Sequence, residues 1–397
     1  MPSPSTTRRA LANLGSGARR FFELAATPLL PADYLDLINP MRAGADLRGR
    51  VVDVAHETPT STSVTIRPGR GWRGHRPGQY TRIGVDVNGV RHWRAYSITS
   101  PTGDVITISA RAIEGGVVSN HLLTGLQPGT MLMLDQATGD FTMSTPPPRS
   151  ALFITGGSGI TPVMGILRSH LHELRDVAVV HSAPDPEQMM FRSELQHLHR
   201  TGRIRLTTRF TRTEGILPLE GIGAVVPDWQ ERETWACGPT GLLDDAEAVW
   251  AAADIPHLLH TERFRPRVVA TGEGGEVTFR GRGAAGAATA TGAAGGAVRS
   301  AGSAGGRAQS ATTTGATDAG LTVDAPAGIP LLDVGEAAGV LMPSGCRMGI
   351  CFNCVLPLEE GSVRDLRTGE LTTVDPEDPH LIQTCISAAA GPCRIAV

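Results

Sequence analysis

Three closely spaced cysteines near the end of the chain constrain its fold more than any other feature. Cys346, Cys351 and Cys354 follow a Cys-x4-Cys-x2-Cys pattern, and a fourth cysteine, Cys385, follows them. This is the plant-type spacing for a [2Fe-2S] cluster, whose two irons need four thiolates. Gly349 gives the loop the freedom to turn its backbone amides toward sulfur. The sequence therefore predicts a cluster bound by these four cysteines.

Other uses of the cysteines fit the sequence less well. A zinc ribbon needs two Cys-x2-Cys pairs and this chain has one, while a Rieske centre needs Cys-x-His pairs and it has none. With four of six cysteines assigned to a cluster, a disulfide framework is not expected, and the reducing cytoplasm is favoured. Cys237 and Cys393 remain as free thiols.

Length and charge limit the broad class of protein. The chain has 397 residues, a formal net charge of −3 and 41% hydrophobic residues, which predicts two or three domains. The near-neutral balance gives no reason to expect a nucleic-acid partner. Without an apolar run of about 18 residues, no spanning helix is expected. The stretch after Arg8-Arg9 is too short and polar for a secretion signal.

Composition divides the chain into blocks. Residues 1–44 carry paired arginines among leucines and are predicted to form a helical arm. Residues 45–148 contain short runs rich in Val, Ile and Thr, punctuated by Gly and Pro, which predict an antiparallel barrel or sandwich. The predicted strands are 50–56, 63–68, 80–87, 93–99 and 105–110.

Residues 149–265 alternate strand-like and helix-like segments, which is typical of a parallel sheet covered by helices. The predicted strands are 151–155, 177–182, 203–208 and 234–237, and the predicted helices are 161–175, 187–200 and 240–253.

A glycine-rich turn joins the first strand and helix of this block. It reads Gly156-Gly157-Ser158-Gly159-Ile160-Thr161-Pro162. Free amides at a helix N-terminus suit a pyrophosphate, and Pro162 fits the first helical turn. The turn departs from the strict dinucleotide fingerprint because a third glycine is missing, and it lacks the second glycine of a nucleophile elbow.

A tetrapeptide in the barrel block adds a second cofactor signal. It reads Arg94-Ala95-Tyr96-Ser97. With the glycine turn and the cysteines, it makes residues 47–397 resemble the ferredoxin-NADP reductase superfamily, in its members with a C-terminal plant-type ferredoxin domain. The resemblance implies an antiparallel β-barrel FAD domain, an α/β parallel-sheet nucleotide domain and an α+β, β-grasp [2Fe-2S] ferredoxin domain.

The resemblance also implies roles for named residues. Tyr96 would lie against the flavin ring, Arg94 would pair with the FAD pyrophosphate and Ser97 would hydrogen-bond the flavin. A second flavin-phosphate turn would be formed by Gly116, Val117, Val118 and Ser119. Tyr96, Ser97 and Cys237 form the predicted catalytic group, in which Cys237 is a neighbour of the nicotinamide rather than a nucleophile.

The same resemblance makes the turn from Gly156 to Pro162 the site of the nucleotide pyrophosphate, and places Cys237-Gly238-Pro239 beside the nicotinamide. Glu262-Arg263-Phe264 resembles the family's tail that reaches back toward the flavin. An alternative for Cys237 is a thiol buried at the strand end for packing alone.

NADPH is the predicted nucleotide. Ser182 ends the second strand of the block, and Arg209 and Arg212 follow the third, where an adenosine 2′-phosphate would find a hydroxyl and two guanidinium groups. NADH remains an alternative, because Ala183 and Asp185 stand where many NADP-specific relatives have an arginine.

A nicotinamide gives electrons in pairs whereas a [2Fe-2S] cluster accepts them singly, and a flavin can do both. This explains why three modules are present in one chain.

The resemblance extends to the subgroup of mycobacterial-type oxidoreductases that serve a membrane stearoyl-CoA desaturase. It rests on 27–34, 363–369 and 382–387. A membrane di-iron desaturase is therefore the expected acceptor of a monomeric, cytoplasmic reductase that contacts the inner face of the membrane.

Three alternatives differ in the acceptor or in the reaction. The chain could be the reductase component of a ring-hydroxylating dioxygenase or of an alkane or steroid monooxygenase. It could instead be a non-catalytic iron-sulfur carrier or sensor. A flavohaemoglobin is disfavoured because residues 1–44 are too few for a globin domain.

The predicted arm of residues 1–44 has an alternative too: it could be a strap packed on the barrel rather than a membrane contact.

The stretch 281–320 consists almost entirely of Ala, Gly, Ser and Thr, and is predicted to be disordered. Because strand-like runs flank it at 276–280 and 321–324, it is interpreted as an insertion at the tip of a hairpin within a ferredoxin domain of residues 276–397. The interdomain linker is then predicted at 266–275.

Overall fold

The structure is a computed structural model that describes residues 39–42, 46–87, 89–265, 268–281 and 320–397. The chain divides into two compact units, Met1–Arg265 and Pro266–Val397. Nearly all of the N-terminal arm and of the stretch 281–320 lies outside the described residues, so these two predictions are not addressed. In the described part, no helix has the length and apolar character needed to cross a membrane.

The first part of unit 1 is a six-stranded antiparallel sheet with the order β4-β3-β6-β1-β2-β5. Its strands are β1 (Arg48–Thr58), β2 (Ser61–Pro68), β3 (Tyr80–Val87), β4 (Val90–Ser97), β5 (Ile106–Arg111) and β6 (Met131–Leu134), and one helix, α1 (Val117–Thr124), packs on them. A bridge between Ile98 and Ile108 joins the end of β4 to β5, so the sheet curves into a barrel. Its interior is filled by alternating Val, Ile and Leu side chains.

The second part of unit 1 is a five-stranded parallel sheet with the order β11-β10-β7-β8-β9. The strands are β7 (Ser150–Gly156), β8 (Asp176–Ala183), β9 (Arg205–Phe210), β10 (Glu233–Cys237) and β11 (Leu259–Glu262). The helices are α2 (Ile160–His170), α3 (Arg192–Arg200), α4 (Thr211–Glu214), α5 (Ile222–Val225) and α6 (Thr240–Ala252). Separate apolar clusters cover the two faces of the sheet, as expected for buried parallel strands.

The predicted helix 187–200 is interrupted. The Asp185 carboxylate accepts hydrogen bonds from the amides of Glu187 and Gln188 and caps a short 3-10 turn. The chain then leaves the helical path, and Phe191 adopts a left-handed conformation (φ 54°) before α3 begins. Phe191 is buried in the core of the domain. Side-chain burial therefore overrides the helical pattern at this point.

Unit 2 contains β12 (Gly275–Arg280), β13 (Leu321–Ala325), α7 (Leu331–Ala337), β14 (Val355–Asp365), β15 (Leu371–Val374), β16 (His380–Gln383) and β17 (Ser387–Ala396). The sheet has the order β13-β12-β17-β14-β15, with β16 paired to β14. β12 and β13 form an antiparallel hairpin, with Phe279 opposite Leu321. β12 also runs parallel to β17, which gives the mixed sheet of a β-grasp ferredoxin domain. The predicted fold class is confirmed for all three domains.

Candidate functional site

The predicted glycine turn lies at the carboxyl end of β7, where a parallel α/β sheet binds its ligands. Gly157–Gly159 form a 3-10 turn that leads directly into α2, and Gly157 has a positive φ of 55°. A Cβ added to Gly159 would lie 2.0 Å from the carbonyl oxygen of Cys237. Only glycine fits at this position, so the turn is pressed against the end of β10. Thr161 donates a hydrogen bond to the carbonyl of Ser158 over 2.9 Å and fixes the start of α2.

The Cys237-Gly238-Pro239 segment is the other wall of this turn. A Cβ on Gly156 would lie 2.6 Å from Cδ of Pro239, and one on Gly238 would lie 3.0 Å from the Gly156 amide. Cys237 is fully buried. Burial, and secondarily the neighbouring Glu262 carboxylate, raise the pKa of its thiol well above the ordinary value. The thiol is protonated at neutral pH and is not a nucleophile.

Glu262 is a partly buried acid that was not placed among the predicted site residues. It lies opposite Cys237 in the register of β10 and β11. Burial raises the pKa of its carboxyl group to about 8. Its Oε2 atom is enclosed and has no hydrogen-bond partner among the described residues. The strand that carries it has only four residues, so the sequence signal was limited to the resemblance of Glu262-Arg263-Phe264 to the family's tail.

The three predicted flavin residues lie at the end of β4, where β4 pairs with β3. Tyr96 packs against the barrel core, and burial raises the pKa of its hydroxyl group. The Ser97 hydroxyl is buried without a hydrogen-bond partner in the described part of the chain. Arg94 donates a hydrogen bond to the Trp93 carbonyl over 2.7 Å. An aromatic wall, an unsatisfied hydroxyl and a guanidinium fit a flavin and its diphosphate.

The predicted second flavin turn forms the N-terminus of α1. Gly116 is the N-cap residue of the helix that begins at Val117, and α1 packs on β4. Val118 is buried in the barrel core. The Ser119 hydroxyl accepts a hydrogen bond from the Ile113 amide over 3.3 Å. Helix α1 therefore packs on the strand that carries the three predicted flavin residues.

The residues predicted for the adenosine phosphate come together at neighbouring strand ends. Ser182 and Arg209 are opposite each other in the register of β8 and β9. The Arg212 amide donates to the Pro184 carbonyl, and its exposed guanidinium pairs with Asp185. The guanidinium of Arg209 donates to the carbonyl of Gly215 over 3.1 Å. A phosphate would therefore compete with existing partners for both arginines.

Arg111 is a further residue that the sequence did not single out. It ends β5 of the barrel, and its Nη1 atom is 3.4 Å from the Cβ position of Gly157. Its Nη2 atom donates to Oε1 of Gln188 over 3.3 Å. A guanidinium from the barrel therefore lies beside the glycine turn of the α/β domain. Only the folded chain brings these segments together, so no local pattern could have revealed the contact.

The four predicted cluster ligands lie on one loop and the turn before β17 in unit 2. The Cys354 and Cys385 sulfurs are 3.1 Å apart, and the Cys346 amide donates to the Cys351 sulfur over 3.2 Å. Among the described residues, no three His, Cys, Asp or Glu side chains are arranged to bind a single metal ion. A two-iron cluster does not need such a group, because its four thiolates are divided between two irons.

Backbone amides of the loop point at these sulfurs. The Met348 amide donates to the Cys346 sulfur over 3.3 Å. The amides of Met348 and Ile350 act to lower the pKa of Cys346, and the Gly349 amide acts in the same way on Cys385, although burial and the neighbouring thiols raise both pKa values overall. Amides that already converge on the four sulfurs fit a bound iron-sulfur cluster.

Comparison with known proteins identifies the same three domains. Family models match an oxidoreductase FAD-binding domain at residues 72–143, an oxidoreductase NAD-binding domain at 153–216 and a 2Fe-2S iron-sulfur cluster binding domain at 316–390. The NADPH oxidoreductase of Mycobacterium tuberculosis is 41% identical over 389 residues, which cover 96% of this chain and 92% of the relative. The chain belongs to the ferredoxin-NADP reductase superfamily. It is an NAD(P)H-dependent oxidoreductase with FAD, nucleotide and [2Fe-2S] domains.

Two further comparisons extend this result. The glycine betaine monooxygenase reductase subunit of Pseudomonas aeruginosa is 26% identical over 336 residues, covering 78% of this chain and 84% of the relative. The solved structure of phthalate dioxygenase reductase covers 88% of this chain and 97% of its own, with a TM-score of 0.54 and 18% identity. At that identity the likeness concerns the fold alone, and it supports the three-domain fold described for this chain.

Proposed function

We propose that this reductase takes electrons from NADPH and passes them through FAD and the [2Fe-2S] cluster to an oxygenase-type acceptor. One observation carries the proposal: Cys346, Cys351, Cys354 and Cys385 converge in unit 2. Unit 1 of the same chain contains the FAD-binding and NAD-binding domains. When bound, the cofactors convert a two-electron donor into single electrons. The protein binds and orients them and keeps water away.

In unit 1, the chain's own residues would build a dry, neutral pocket between the two domains. The Ser97 hydroxyl would hydrogen-bond the flavin, and Tyr96 would form an apolar wall. Cys237, with its raised pKa, would lie beside the nicotinamide as an uncharged side chain. Arg94 and the N-terminus of α1 would neutralise the FAD diphosphate.

Anaerobic mixing with NADPH tests the electron route. The reductase should lose first its flavin absorbance and then its cluster absorbance within the first turnovers of a stopped-flow experiment. A non-catalytic iron-sulfur carrier would keep both absorbances unchanged. That outcome would reject the proposed enzymatic role and leave the cofactor assignment intact.

The preference for NADPH is supported by Ser182, Arg209 and Arg212 and by the name of the mycobacterial relative. Arg212 is exposed and would exchange its Asp185 partner for the 2′-phosphate. We expect Arg212→Met to raise the KM for NADPH several-fold and to leave the KM for NADH unchanged. Equal effects on both nucleotides, or a wild-type preference for NADH in kcat/KM, would reject this site.

The acceptor proposed from the subgroup resemblance is a membrane di-iron desaturase acting on long-chain acyl-CoA. The relatives also include reductase subunits of monooxygenase and demethylase systems, which makes a soluble oxygenase the second candidate. Purified reductase should be assayed with membranes that contain a candidate desaturase and, in parallel, with purified oxygenase components. NADPH-dependent desaturation identifies the first acceptor, and turnover only with an oxygenase identifies the second.

The arm of residues 1–44 is proposed to hold the reductase at the inner face of the membrane. Its paired arginines would be attracted to anionic headgroups, although a short basic stretch alone binds membranes weakly. Deletion of residues 1–40 should reduce binding to anionic vesicles and desaturase-coupled turnover while leaving flavin reduction by NADPH unchanged. Unchanged vesicle binding and turnover would favour a strap packed on the barrel.

A further inference from the structure

The carbonyl group of one residue in the cluster loop accepts hydrogen bonds from two side chains outside the loop. Gly349 lies between Cys346 and Cys351 and has a positive φ of 74°. Its carbonyl oxygen accepts a hydrogen bond from Nη1 of Arg367 over 3.3 Å and another from Nε2 of Gln383 over 3.1 Å. Two side chains from separate elements therefore meet on one peptide group of the loop.

The guanidinium of Arg367 is itself fixed against the loop. Asp365, the last residue of β14, accepts a hydrogen bond from the Arg367 amide over 2.7 Å and lies 3.5 Å from its Nη2 atom. A Cβ added to Gly349 would lie 2.8 Å from Nη1 of Arg367. The Nε atom of Arg367 is enclosed and has no partner within the described residues. The positive charge is therefore held in contact with the loop instead of extending into solvent.

The same peptide group faces the cluster ligands on its other side. The peptide between Gly349 and Ile350 is trans, so its carbonyl oxygen and its N–H point in opposite directions. Arg367 and Gln383 donate to the carbonyl oxygen. The Cys346 sulfur accepts a hydrogen bond from the Met348 N–H over 3.3 Å, and the Ile350 N–H also acts to lower the pKa of the Cys346 thiol. Hydrogen bonds on the two sides of one amide polarise it cooperatively. A cation on the oxygen side makes the N–H a stronger donor to sulfur.

We propose that Arg367 and Gln383 are positioning residues that raise the reduction potential of the [2Fe-2S] cluster through the Gly349–Ile350 peptide. The inference rests on the cluster ligands proposed above. Reduction adds one negative charge to the cluster. Stronger donation to a ligand sulfur, together with the nearby guanidinium charge, stabilises the reduced form more than the oxidised form. Nothing in this role requires either side chain to contact the cluster itself.

The test is a spectroelectrochemical titration of the cluster in the FAD-loaded, full-length protein. Arg367→Met removes the charge and the Nη1 donor to the Gly349 carbonyl while keeping an unbranched side chain. We expect the equilibrium constant for one-electron reduction to fall about tenfold, which is a shift of ~59 mV to lower potential. Gln383→Met removes one donor without changing the charge and should produce a smaller shift of the same sign. Arg367→Lys should recover part of the potential, because it restores the charge.

Arg394→Met is the matched control, since Arg394 carries the same charge on the same domain and also pairs with a carboxylate, Glu360, over 3.0 Å. Within the described residues its guanidinium makes no hydrogen bond to the cluster loop. It should change the equilibrium constant less than twofold. Iron content and the visible spectrum show whether each variant retains its cluster. If Arg367→Met loses the cluster, Gln383→Met and Arg367→Lys decide the question.

A cluster-loaded Arg367→Met protein with a wild-type potential would overturn the proposed relay. So would an Arg394→Met shift as large as that of Arg367→Met, because the effect would then be one of net charge alone. A wild-type chain with no titratable cluster band would instead reject the proposed function, so the two failures are distinguishable.

Discussion

The partly enclosed carboxyl group of Glu262 predicts an unusual dependence of stability on pH. Its pKa is about 8 in the folded chain because burial disfavours the ionised form, whereas an exposed glutamate has a pKa of 4.5. Between these two values the folded state binds one proton more than the unfolded state. The free energy of unfolding therefore falls as pH rises through this window and is constant above about pH 8.

The size of the effect follows from the two pKa values. Each pH unit between them costs about 1.4 kcal/mol, so the full window corresponds to ~5 kcal/mol as an upper limit. Water that relaxes around a half-buried carboxylate reduces this figure, and we expect about 2–5 kcal/mol. Glu262→Gln removes the titration but keeps the shape. Relative to wild type, the variant should gain stability progressively from pH 5 to pH 8 and show no further gain at pH 9.

Tryptophan fluorescence provides a domain-specific assay. All five tryptophans, Trp72, Trp93, Trp229, Trp235 and Trp250, lie in unit 1. Denaturant unfolding followed by this signal therefore reports on the unit that contains Glu262. The amide of the glutamine can add an offset to the free energy of unfolding, but an offset does not vary with pH. The slope against pH is the diagnostic quantity.

Glu220→Gln, at an exposed carboxylate of the same unit, is the matched control for loss of one negative charge. Its stability difference from wild type should stay constant over the same pH range. If the difference between Glu262→Gln and wild type also stayed constant from pH 5 to pH 9, Glu262 would be ionised throughout. The reasoning from burial would then be wrong.

Three further predictions concern the two cofactor regions and the hairpin. Gly159→Ala should destabilise unit 1 by about 1–3 kcal/mol and abolish flavin reduction by NADPH, because its Cβ would meet the Cys237 backbone. Gly241→Ala, in open space within α6, should instead stabilise it by about 0.5–1 kcal/mol in the fluorescence assay. Cys385→Ser should abolish the iron-sulfur spectrum and leave FAD reduction intact, whereas Cys393→Ser should retain both; the reverse pattern would refute the ligand assignment. Replacing 281–320 by Asn-Gly should preserve the cluster and the rate from NADPH to acceptor, and a large fall in flavin-to-cluster transfer would indicate a tether instead.

Local patterns were sufficient for much of this fold. The Val, Ile and Thr runs predicted five barrel strands, and the alternation of segments after residue 149 predicted a parallel sheet. In unit 1, two strands were missed, β6 with four residues and β11 with four, because so short a run carries no periodicity. β11 is the strand that presents Glu262. A short strand at a sheet edge can therefore hold a chemically important residue that the sequence of the strand does not predict.

The candidate sites divide in the same way. Glycine and cysteine signal the nucleotide turn and the cluster loop because their chemistry is needed at fixed spacing within one segment. Arg111 carries no such signal. Arg367 lies in the segment 363–369 used for the subgroup resemblance, but that pattern does not indicate its contact with a carbonyl 18 residues away. An arginine in a sequence is most often solvated. Only the folded contacts distinguish these two from the rest.

The proposed cofactor sites of the two units differ in the charges of individual side chains beside them. Near the end of β10, Cys237 and Glu262 are held uncharged at neutral pH by burial, and an enclosed neutral pocket makes an added negative charge costly. At the cluster loop, Arg367 holds a positive charge against the Gly349 carbonyl, which favours an added negative charge. At neutral pH, Arg367→Met would remove a charge at the cluster loop, whereas Glu262→Gln would replace one uncharged side chain by another. A change in cluster potential without a change at the β10 end is therefore expected only from the first variant.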